Sequence, residues 1–349
     1  MDTEQRFREF IIGKNILVTG GTGSIGRIIV KNLIECGPKV IRVLSRDTNK
    51  QIQLQSEIGP SSPVRFIVGD VRDLERILMA CEDIDVIFHA AAFKYVPQGE
   101  YNPFEVVQTN VIGTQNLITA ALKTPSVHHF VMVSTDKAVQ PTNTMGASKL
   151  LAERLVSAAH YIRGSKPKVF TTVRFGNVLG TAGSVLPVFL DQIKKGAVVV
   201  THPEMARFFM TTADAVRLVF AATTLAHGGE IFVLKMPMVK ISDLAEVCVA
   251  RFARRPTPIT YGPIRPGEKI DELLLTSDEA TAALETESMY IIVPRIEVGD
   301  IRFHDYTYPG ARPITSHTYH TRTAPRLSPA EITELLNRVL ADLPATVAI

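Results

Sequence analysis

The chain has 349 residues, of which 46% are hydrophobic and 21% charged, and its formal net charge is +3. This balance is typical of a globular protein with a sizeable core, and so small a charge does not indicate nucleic-acid binding. The three cysteines lack paired spacing, the N-terminus MDTEQRFREF lacks a signal-peptide core, and no apolar run reaches the ~18 residues of a membrane span, so we expect a cytoplasmic protein without disulfides or membrane association.

The first half of the chain alternates short apolar runs with segments of helical spacing. Apolar runs occur at 15–20, 39–46, 64–70, 85–92 and 128–135. Segments between them, such as IGRIIVKNLIEC and LERILMACE, have the spacing of amphipathic helices. The alternation predicts parallel strands joined by right-handed crossovers. The expected fold class is therefore α/β, a doubly wound parallel sheet (Rossmann) with its ligand at the carboxyl ends of the strands.

The second half begins with a long predicted helix, TMGASKLLAERLVSAAHYI, and a buried strand over 168–180. Helices are predicted over 183–196 and in ISDLAEVCVARFA, which has Ser242 as its N-cap. The stretch PIRPGEKIDELLL predicts a loop that feeds a helix. The run GGEIFVLK, at 228–235, predicts a strand that returns to the first sheet.

The C-terminal region has a different pattern. Residues 295–326 contain several Pro, Tyr, His and Thr residues with little periodicity, which predicts an extended arm. LSPAEITELLNRVL then predicts a terminal helix, because Ser328, Pro329 and Glu331 form a capping-box start. Exchange of this arm between subunits is our hypothesis for a homo-oligomer.

A glycine-rich segment, VTGGTGSIGR, lies between the first predicted strand and the first predicted helix of the sheet. Glycines permit a tight turn and let backbone N–H groups approach a pyrophosphate at a helix N-terminus. A plain β–α turn is the alternative for the glycines alone, but their place at the start of a βαβ unit predicts dinucleotide binding. The residues expected to contact the cofactor are Gly20, Thr22, Gly23, Ser24, Ile25 and Gly26.

The second predicted strand ends in LSRDTNK, where a site that prefers NAD usually has an acidic residue for the ribose diol. Ser45, Arg46 and Lys50 can instead neutralise a 2′-phosphate, which favours NADP over NAD. Two alternatives stay open at this point. Asp47 could reach a ribose, and Arg46 and Lys50 could be solvated loop charges.

Two more strand ends suit a dinucleotide. GDVRD after the third strand fits an adenine-contacting turn with Asp70 and Val71. HAAAFK after the fourth places the small residues Ala90 and Ala91 where backbone passes close to a cofactor, although close strand–helix packing would also explain them. His89 is expected to pack near the cofactor, and the spacing of the histidines predicts no metal site.

A series of short motifs runs in order from residue 19 to residue 269: TGGTGSIG, SRDTNK, GDVRD, HAAAFKYVPQGEYNP, TNVIGTQN, STDKAVQP, MGASK, RFGNVLG, MARFFM, GGEIFV and IRPGEK. In these motifs, the chain resembles the extended short-chain dehydrogenase/reductase family. Within it, the chain is most similar to the inverting UDP-N-acetylglucosamine 4,6-dehydratases of bacterial surface-polysaccharide and flagellin-sugar pathways. The tail ITSHTYHTRTAPRLSPAEI resembles their capsule-type branch, where Met-x-x-x-Lys, here Met145 and Lys149, replaces Tyr-x-x-x-Lys.

The resemblance implies a reaction in steps. The C4 hydroxyl of the sugar is oxidised by hydride transfer to NADP⁺, water is eliminated across C5 and C6, and the hydride returns to C6 with inversion at C5. The elimination requires an acid and a base. By the same resemblance, Asp136 protonates the leaving hydroxyl. Lys137 removes the C5 proton with a pKa depressed by burial and by cations such as Lys94 or Lys149.

The loss of the tyrosine leaves the C4 proton without its usual acceptor. Thr135 or Lys137 is the hypothetical acceptor, and the alternative interpretation of the TDK segment is a solvated turn after a strand. Lys149 is implied to bind the nicotinamide ribose, while Met145 is expected to pack near the nicotinamide without proton transfer.

The resemblance also implies a set of residues that bind the UDP-sugar. A charged residue of this set, considered alone, is more often a surface charge than a ligand. They are Lys94, Thr135, Asn177, Val178, Val185, Arg207, Arg265 and Glu268. Lys94 is expected to contact the cofactor as well. Ala182 stands where the family often has arginine, so one cationic contact with the substrate is missing.

These patterns predict three parts of the chain. They are an NADP-binding Rossmann domain over 10–180 with 208–236 returning to it, a mainly substrate-binding domain over 181–294, and the arm with the terminal helix over 295–349. Two other functions stay open. A UDP-sugar 4-epimerase would depend on the absent tyrosine, and a non-catalytic NADP-binding regulator would be expected to have lost Asp136, Lys137 or Lys149 as well.

Overall fold

The structure is a computed structural model that describes residues 3–181, 183–295, 306–315 and 319–341. Ala182 and the arm residues 296–305 and 316–318 therefore lie outside the described residues, as do the terminal residues 342–349. The strands are Asn15–Thr19 (β1), Val40–Ser45 (β2), Val64–Val68 (β3), Val86–His89 (β4), His129–Thr135 (β5), Val169–Phe175 (β6), Asn177–Val178 (β7), Val198–Val200 (β8), Ala206–Met210 (β9), Ile231–Leu234 (β10), Met238–Lys240 (β11), Ile259–Tyr261 (β12), Ala283–Glu285 (β13), Met289–Ile292 (β14) and Arg312–Pro313 (β15). The helices are Thr3–Ile11 (α1), Ser24–Glu35 (α2), Thr48–Ile58 (α3), Leu74–Cys81 (α4), Val96–Tyr101 (α5), Pro103–Val107 (α6), Gly113–Lys123 (α7), Thr144–Ile162 (α8), Val185–Lys195 (α9), Thr212–Leu225 (α10), Ile241–Phe252 (α11), Ser277–Ala280 (α12) and Pro329–Ala341 (α13), with a π-helical segment at Gln108–Ile112 and a 3-10 turn at Asp136–Ala138.

One large sheet organises the described part of the chain, with ten strands in the order β15-β13-β14-β10-β6-β5-β4-β1-β2-β3. Every neighbouring pair from β3 to β10 is parallel, and β14, β13 and β15 add an antiparallel edge. The strand predicted in 228–235 does return to this sheet, because β10 pairs with β6. The order reverses between β1 and β4, and sheets of this kind bind ligands at such a switch point. The predicted doubly wound α/β fold is confirmed.

Helices cover both faces of the sheet because each carries an apolar stripe. On one face, α1, α2 and α10 bury Phe7, Ile29 and Phe220, and the rings of Phe7 and Phe220 stack with centroids 3.6 Å apart. On the other face, α4 and α8 bury Ile77 and Val156. Each such side chain contributes roughly 1.5–3 kcal/mol of transfer free energy, so the two apolar layers hold the strand ends in place.

A third core lies outside the large sheet, where α9, α11 and α13 bury Phe189, Leu244 and Leu335. The capping box predicted for α13 is confirmed. The backbone N–H of Ser328 donates to Oε2 of Glu331 at 2.8 Å, and the N–H of Glu331 donates back to Oγ of Ser328 at 3.4 Å. The terminal helix therefore packs against a core of its own chain.

Two local predictions are wrong. Ser242 is not an N-cap, because α11 follows β11 directly with Lys240 at the cap position, and Oγ of Ser242 donates to the carbonyl of Pro203 at 3.3 Å. IDELLL is not a helix either. Leu273 forms a β-bridge with the arm, and the N–H of Leu274 donates to a carbonyl of the arm at 2.8 Å. These non-local hydrogen bonds override the local helical preference of the sequence.

The described part of the predicted arm packs on its own chain. β15 pairs with β13 at the edge of the large sheet. The hydroxyl of Tyr308 donates to Oε1 of the buried Glu230 at 2.7 Å, and Arg326 forms an ion pair with Asp243 at 2.7 Å. These contacts fix the described part of the arm to the body of its own chain.

Candidate active site

The glycine-rich loop lies at the switch point between β1 and β4. Gly20 has a φ of +68°, and a Cβ there would lie 2.6 Å from the Cα of Ala91. A Cβ on Gly26 would collide with the carbonyl oxygen of Gly20. Only glycine therefore lets β1 turn into α2 while the segment after β4 passes so closely. The structure brings the backbone of Ala90 and Ala91 against the loop, and their contact with a cofactor stays a prediction.

The start of α2 has backbone N–H groups without a side-chain cap. Thr22 is buried, Gly23 occupies the N-cap position, and the helix begins at Ser24, followed by Ile25. In α3, α4 and α8, by contrast, an Asp or Asn side chain at the N-cap accepts a backbone N–H. The uncapped N-terminus of α2 at the switch point is an arrangement suited to a phosphate group.

The polar side chains after β2 differ in their hydrogen bonds, ion pairs and exposure. Ser45 is buried and accepts a glutamine side-chain hydrogen bond at 3.0 Å. Asp47 caps α3 by accepting the backbone N–H of Lys50 at 3.0 Å, and Nζ of Lys50 lies 3.2 Å from the same carboxylate. The side chain of Arg46 is 61% exposed, with its guanidinium 3.5 Å from the carboxylate of Asp70. Asp47 is thus engaged by its own helix, whereas most of Arg46 faces solvent.

Asp70 and Val71 follow β3 beside this turn. Asp70 accepts the backbone N–H of Arg72 at 3.0 Å and its guanidinium at 2.7 Å. Burial raises the pKa of Asp70, but the hydrogen bonds from Arg72 outweigh burial and lower the pKa overall. Val71 is buried against Gly113 of α7. The turn is therefore rigid and holds an ionised carboxylate.

His89 is a packed residue at the end of β4. Its Nδ1 lies 2.7 Å from Oγ1 of Thr19, and its Nε2 lies 3.0 Å from Oγ1 of Thr114. Burial, with a smaller contribution from the charge of Lys149, lowers the pKa of His89 to about 3. His89 is therefore a neutral residue that joins neighbouring elements, in agreement with its predicted packing role.

Thr135, Asp136 and Lys137 lie at the carboxyl end of the central strand β5. Asp136 is fully buried, and its Oδ1 accepts the hydroxyl of Thr135 at 2.9 Å and Nζ of Lys137 at 3.0 Å. Oδ2 of Asp136 has no hydrogen-bond partner among the described residues. Nζ of Lys137 also lies 3.5 Å from Oδ1 of Asn177. The alternative of a solvated turn is wrong for Asp136, because burial has removed its carboxylate from water.

The pKa predicted for Lys137 is wrong in direction. Burial lowers the pKa of Lys137, but the charges of Asp136 and Glu272 outweigh this effect and raise it above the ordinary lysine value. The neighbours that dominate are therefore carboxylates rather than the cations Lys94 and Lys149. Lys149, by contrast, has a depressed pKa of about 8, because it is buried and only partly compensated by the charge of Glu153.

Helix α8 approaches the Asp136–Lys137 turn very closely. A Cβ on Gly146 would collide with the carbonyl oxygen of Lys137, so glycine is required between Met145 and the rest of the helix. Met145 is buried, and Nζ of Lys149 donates to the carbonyl of Val133 at 2.8 Å. The MGASK segment therefore places an apolar side chain and a lysine next to the end of β5.

The predicted substrate residues fall into two groups. Asn177, Val178 and Val185 lie at β7 and the start of α9, and Asn177 contacts Lys137. Lys94 is exposed, with its Nζ 5.2 Å from the centroid of the Tyr95 ring. The structure therefore brings Asn177 to the Lys137 turn, while Lys94 lies in the segment after β4.

The loop that carries Arg265 and Glu268 folds back on the start of α8. The backbone N–H of Glu268 donates to the carbonyl of Arg265 at 3.0 Å, and Nδ2 of Asn143 donates to the carbonyl of Gly267 at 2.9 Å. Arg207 is buried in β9 and donates to loop carbonyls, that of Ile270 at 3.0 Å among them. Arg207 therefore holds this loop in place beside the Asp136–Lys137 turn.

Sequence reasoning missed two charged residues of this cluster, Lys269 and Glu272. Glu272 is buried, with Nε of Arg207 at 3.7 Å from its Oε1 and Nζ of Lys269 at 3.9 Å from its Oε2. Lys269 ends the IRPGEK motif, and that motif is the sequence signal by which it can be found. Glu272 has no usable sequence signal, because the stretch PIRPGEKIDELLL predicts only a loop that feeds a helix.

The fold and the glycine loop together define a Rossmann-type protein of the short-chain dehydrogenase/reductase class. A family model described as polysaccharide biosynthesis protein matches residues 16–294. The chain therefore belongs to that family, and the family resemblance seen in the sequence is confirmed. None of the described helices is both long and apolar enough to cross a bilayer.

Several known proteins are similar over most of the chain. An uncharacterized membrane protein of Methanocaldococcus jannaschii is 50% identical over 297 residues, which is 83% of this chain and 89% of that protein. A UDP-N-acetylglucosamine 4,6-dehydratase (inverting) of Campylobacter jejuni is 42% identical over 82% of this chain and 85% of its own length. A UDP-glucose 4-epimerase of Rickettsia conorii is 36% identical over 93% and 96%. The X-ray structure of Pen from Bacillus thuringiensis matches with a TM-score of 0.87 at 41% identity, over 94% of this chain and 99% of that one.

Proposed function

We propose that this protein is an inverting UDP-N-acetylglucosamine 4,6-dehydratase that acts in surface-polysaccharide biosynthesis. The observation that carries the proposal is the buried Asp136–Lys137 pair, with an unpartnered carboxylate oxygen, at the carboxyl end of β5. A dehydratase needs an acid and a base on adjacent sugar carbons, which a simple oxidoreductase does not. The inverting dehydratase that is 42% identical supports the choice of substrate.

The cofactor proposed is NADP, held by the glycine loop and the turns after β2, β3 and β4. The residues fit a dinucleotide, since a Cβ at Gly20 would block the gap beside Ala91 and the N-terminus of α2 has no side-chain cap. Asp47 caps α3, and the side chain of Arg46 is largely exposed. Both observations support NADP over NAD. The nicotinamide supplies the hydride acceptor for C4 and the hydride donor for C6.

The chain's own residues perform the proton transfers. Asp136 takes up the proton released at C4 from Thr135 or Lys137, its two hydrogen-bond donors, and passes it to the leaving C6 hydroxyl through Oδ2, the oxygen that no described residue engages. Lys137 removes the C5 proton and must first lose a proton of its own. Thr135 or Lys137 accepts the C4 proton, because Met145 cannot. Lys149, with its lowered pKa, binds the nicotinamide ribose.

The substrate is proposed to lie between the strand ends and the segments that pack beside them. Asn177, next to Lys137, contacts the sugar, and Arg265 and Glu268 contact the nucleotide from their loop. The remaining substrate residues of this proposal are Lys94, Thr135, Val178, Val185 and Arg207. The domain assignment follows from it, with 10–180 and 208–236 for the cofactor, 181–294 mainly for the substrate, and 295–349 as the arm and terminal helix.

Two broader parts of the proposal concern assembly and compartment. We propose a homo-oligomer, which gel filtration of the full chain tests. A cytoplasmic location is supported by three buried free cysteines, which suit a reducing compartment. Fractionation of cells that express the full chain tests that location.

The decisive experiment is incubation of the purified protein with UDP-N-acetylglucosamine in D₂O, followed by NMR of the product. A 4-keto-6-deoxy sugar with inverted configuration and deuterium at C5 is the expected product. UDP-N-acetylgalactosamine would instead identify an epimerase, and an unchanged sugar a non-catalytic binder.

The controls are two lysine variants. Lys137→Ala is expected to form no product. Lys235→Ala removes a lysine that pairs with Glu285 at 2.9 Å outside the site, and it is expected to retain turnover. Equal turnover by Lys137→Ala and the wild type would contradict the assignment of the base.

A further inference from the structure

Glu272 is a buried carboxylate whose charge is poorly compensated. Its side chain is 3% exposed, and Oε2 has no hydrogen-bond partner among the described residues. The nearest cations, Arg207 at 3.7 Å and Lys269 at 3.9 Å, are beyond ordinary hydrogen-bond distance. Buried carboxylates of this kind are costly to fold, and an unpartnered oxygen in such a group calls for an explanation.

The two cations cannot move closer to Glu272 without breaking other bonds. The guanidinium of Arg207 donates to the carbonyls of Ala206 at 2.8 Å, Lys269 at 2.6 Å and Ile270 at 3.0 Å. Nζ of Lys269 donates at 2.7 Å to the carbonyl of Val139, two residues after Lys137. These bonds keep both cations at ion-pair distance and leave Oε2 unbonded.

The backbone of Glu272 is also fixed in place. Its N–H donates to Oγ1 of Thr321 at 3.1 Å, and its carbonyl accepts the N–H of Thr321 at 3.0 Å. The C-terminal arm therefore holds Glu272 from outside, while Lys269 links it to the turn that carries Lys137. Glu272 is thus held at the site by hydrogen bonds of its backbone.

The proposed dehydration has a requirement that Glu272 satisfies. Lys137 can take the C5 proton only as a neutral amine, yet Asp136 and Glu272 keep it protonated. Release of that proton to water would leave a net charge change in a buried site. Burial, followed by the charge of Asp136, raises the pKa of Glu272, with Lys137, Arg207 and Lys269 acting in the opposite direction. Within the part of the chain that the structure describes, these four are the charged groups that act on Glu272.

We propose that Glu272 acts through Lys137, by accepting the ammonium proton on its free Oε2 and so leaving Lys137 as the neutral base for C5. This inference rests on the proposed function. In the step, one N–H bond of Lys137 breaks and one O–H bond forms on Glu272, and the proton passes through an intervening hydroxyl or water. No proton enters or leaves the cluster, so its net charge is unchanged. The cluster gains one proton when Lys137 takes it from C5 and gives up one proton when C5 is reprotonated, which restores the carboxylate of Glu272.

The internal transfer predicts a distinctive pH dependence. In the wild type, the fraction with neutral Lys137 and protonated Glu272 does not depend on pH while the cluster holds a constant number of protons. In Glu272→Gln, Lys137 must release its proton to solvent, so the turnover rate rises about tenfold per pH unit below the pKa of Lys137. We expect at least a tenfold loss at pH 7, and recovery toward wild-type turnover at alkaline pH.

Two matched variants separate this role from a structural one. Glu272→Asp keeps a titratable carboxyl group and is expected to retain a flatter pH profile than Glu272→Gln. Glu285→Gln changes another buried glutamate, in β13, and is expected to leave the pH profile unchanged. A Glu272→Gln profile parallel to that of the wild type, with or without a uniform loss, would overturn the proposal.

A second measurement does not depend on turnover. Carboxyl ¹³C NMR, with the Glu272 signal assigned by its loss in Glu272→Gln, gives the pKa of Glu272 in the folded chain. We expect a pKa above that of ordinary glutamate, and a higher one still in Lys137→Met, where a cation is lost. Titration in the ordinary range, unaffected by Lys137→Met, would overturn the coupling even if the protein proved to act on another sugar. Failure of the UDP-N-acetylglucosamine assay with a coupled Glu272 would overturn only the proposed substrate.

Discussion

The cluster around Arg174 and the cluster around Lys137 are both buried, but they satisfy their charges differently. Arg174 is fully buried and donates five hydrogen bonds of 2.7–3.1 Å to Glu153, Glu279 and the carbonyl of Leu274. In the Lys137 cluster, by contrast, one oxygen of Asp136 and one of Glu272 remain without a partner in the described residues.

This difference separates a structural cluster from a reactive one. A buried ion network with every partner in place fixes the elements that it joins, here α8, β6 and the segment around α12. Buried polar atoms without partners are rare in proteins, and where they occur they favour a functional explanation. The first cluster therefore holds the helix that carries Lys149, and the second leaves acceptors free beside the end of β5.

Replacement of Arg174 is the strongest test of the structural cluster. Arg174→Met would leave Glu153 and Glu279 buried without their shared cation, and loss of one partner of a buried pair costs about 3–5 kcal/mol. We expect the free energy of unfolding, measured by urea denaturation, to fall by this amount. Arg312→Met, which removes a 72% exposed arginine beside Glu285, is the control and should cost less than about 1 kcal/mol. A similar loss in both variants would contradict the comparison.

Lys149 lies between the two clusters, one helical turn before Glu153, and it links stability to pH. Its folded pKa is about 8, and that of an unfolded lysine is close to 10.5. The unfolded chain therefore binds more protons between these values, and stability rises as the pH increases through this window. Across this window the free energy of unfolding increases by about 3 kcal/mol, at 1.36 kcal/mol per pH unit.

The measurement is the free energy of unfolding of the cofactor-free protein between pH 7 and 10.5, for the wild type and Lys149→Met. Subtraction of the two curves isolates Lys149 from other alkaline titrations. If the difference between the two free energies of unfolding stayed constant with pH, the pKa of Lys149 would not be lowered in the folded protein.

The sequence could predict the parts of the site that depend on neighbouring residues. Gly20 and Gly26 are recognisable because a tight turn requires them locally, and Asp136 and Lys137 are adjacent in the chain and end a predicted strand. The pKa of Lys137 could be predicted only in part, because it is raised by the adjacent Asp136 and also by Glu272, which is remote in sequence and is held near by Lys269 and the arm. Contacts with the same arm hold IDELLL in a non-helical segment that bridges to the arm at Leu273.

A matched pair of glutamates sharpens the comparison. Glu279→Gln removes charge from a carboxylate that accepts two hydrogen bonds from Arg174, at 2.9 and 3.1 Å, and should cost about 1–3 kcal/mol. Glu272→Gln removes the charge of a carboxylate that accepts no such hydrogen bonds. We therefore expect the free energy of unfolding of this variant to be unchanged or higher. Thermal denaturation of the two variants side by side gives the answer, and an equal loss would mean that Glu272 is structurally paired.

Arg46 represents a third class of charge, exposed and only weakly paired, and its replacement should have the smallest effect. Arg46→Ala removes a guanidinium that is 61% exposed and 3.5 Å from Asp70, so folding should be unaffected. The affinity for NADP is expected to fall about tenfold, or about 1.4 kcal/mol, while that for NAD is unchanged, because only NADP carries the 2′-phosphate. Lys50→Ala, whose amine is engaged by Asp47, should weaken NADP binding less than Arg46→Ala does. Isothermal titration of both cofactors measures these changes, and equal losses for NADP and NAD would assign Arg46 to the adenosine rather than to the phosphate.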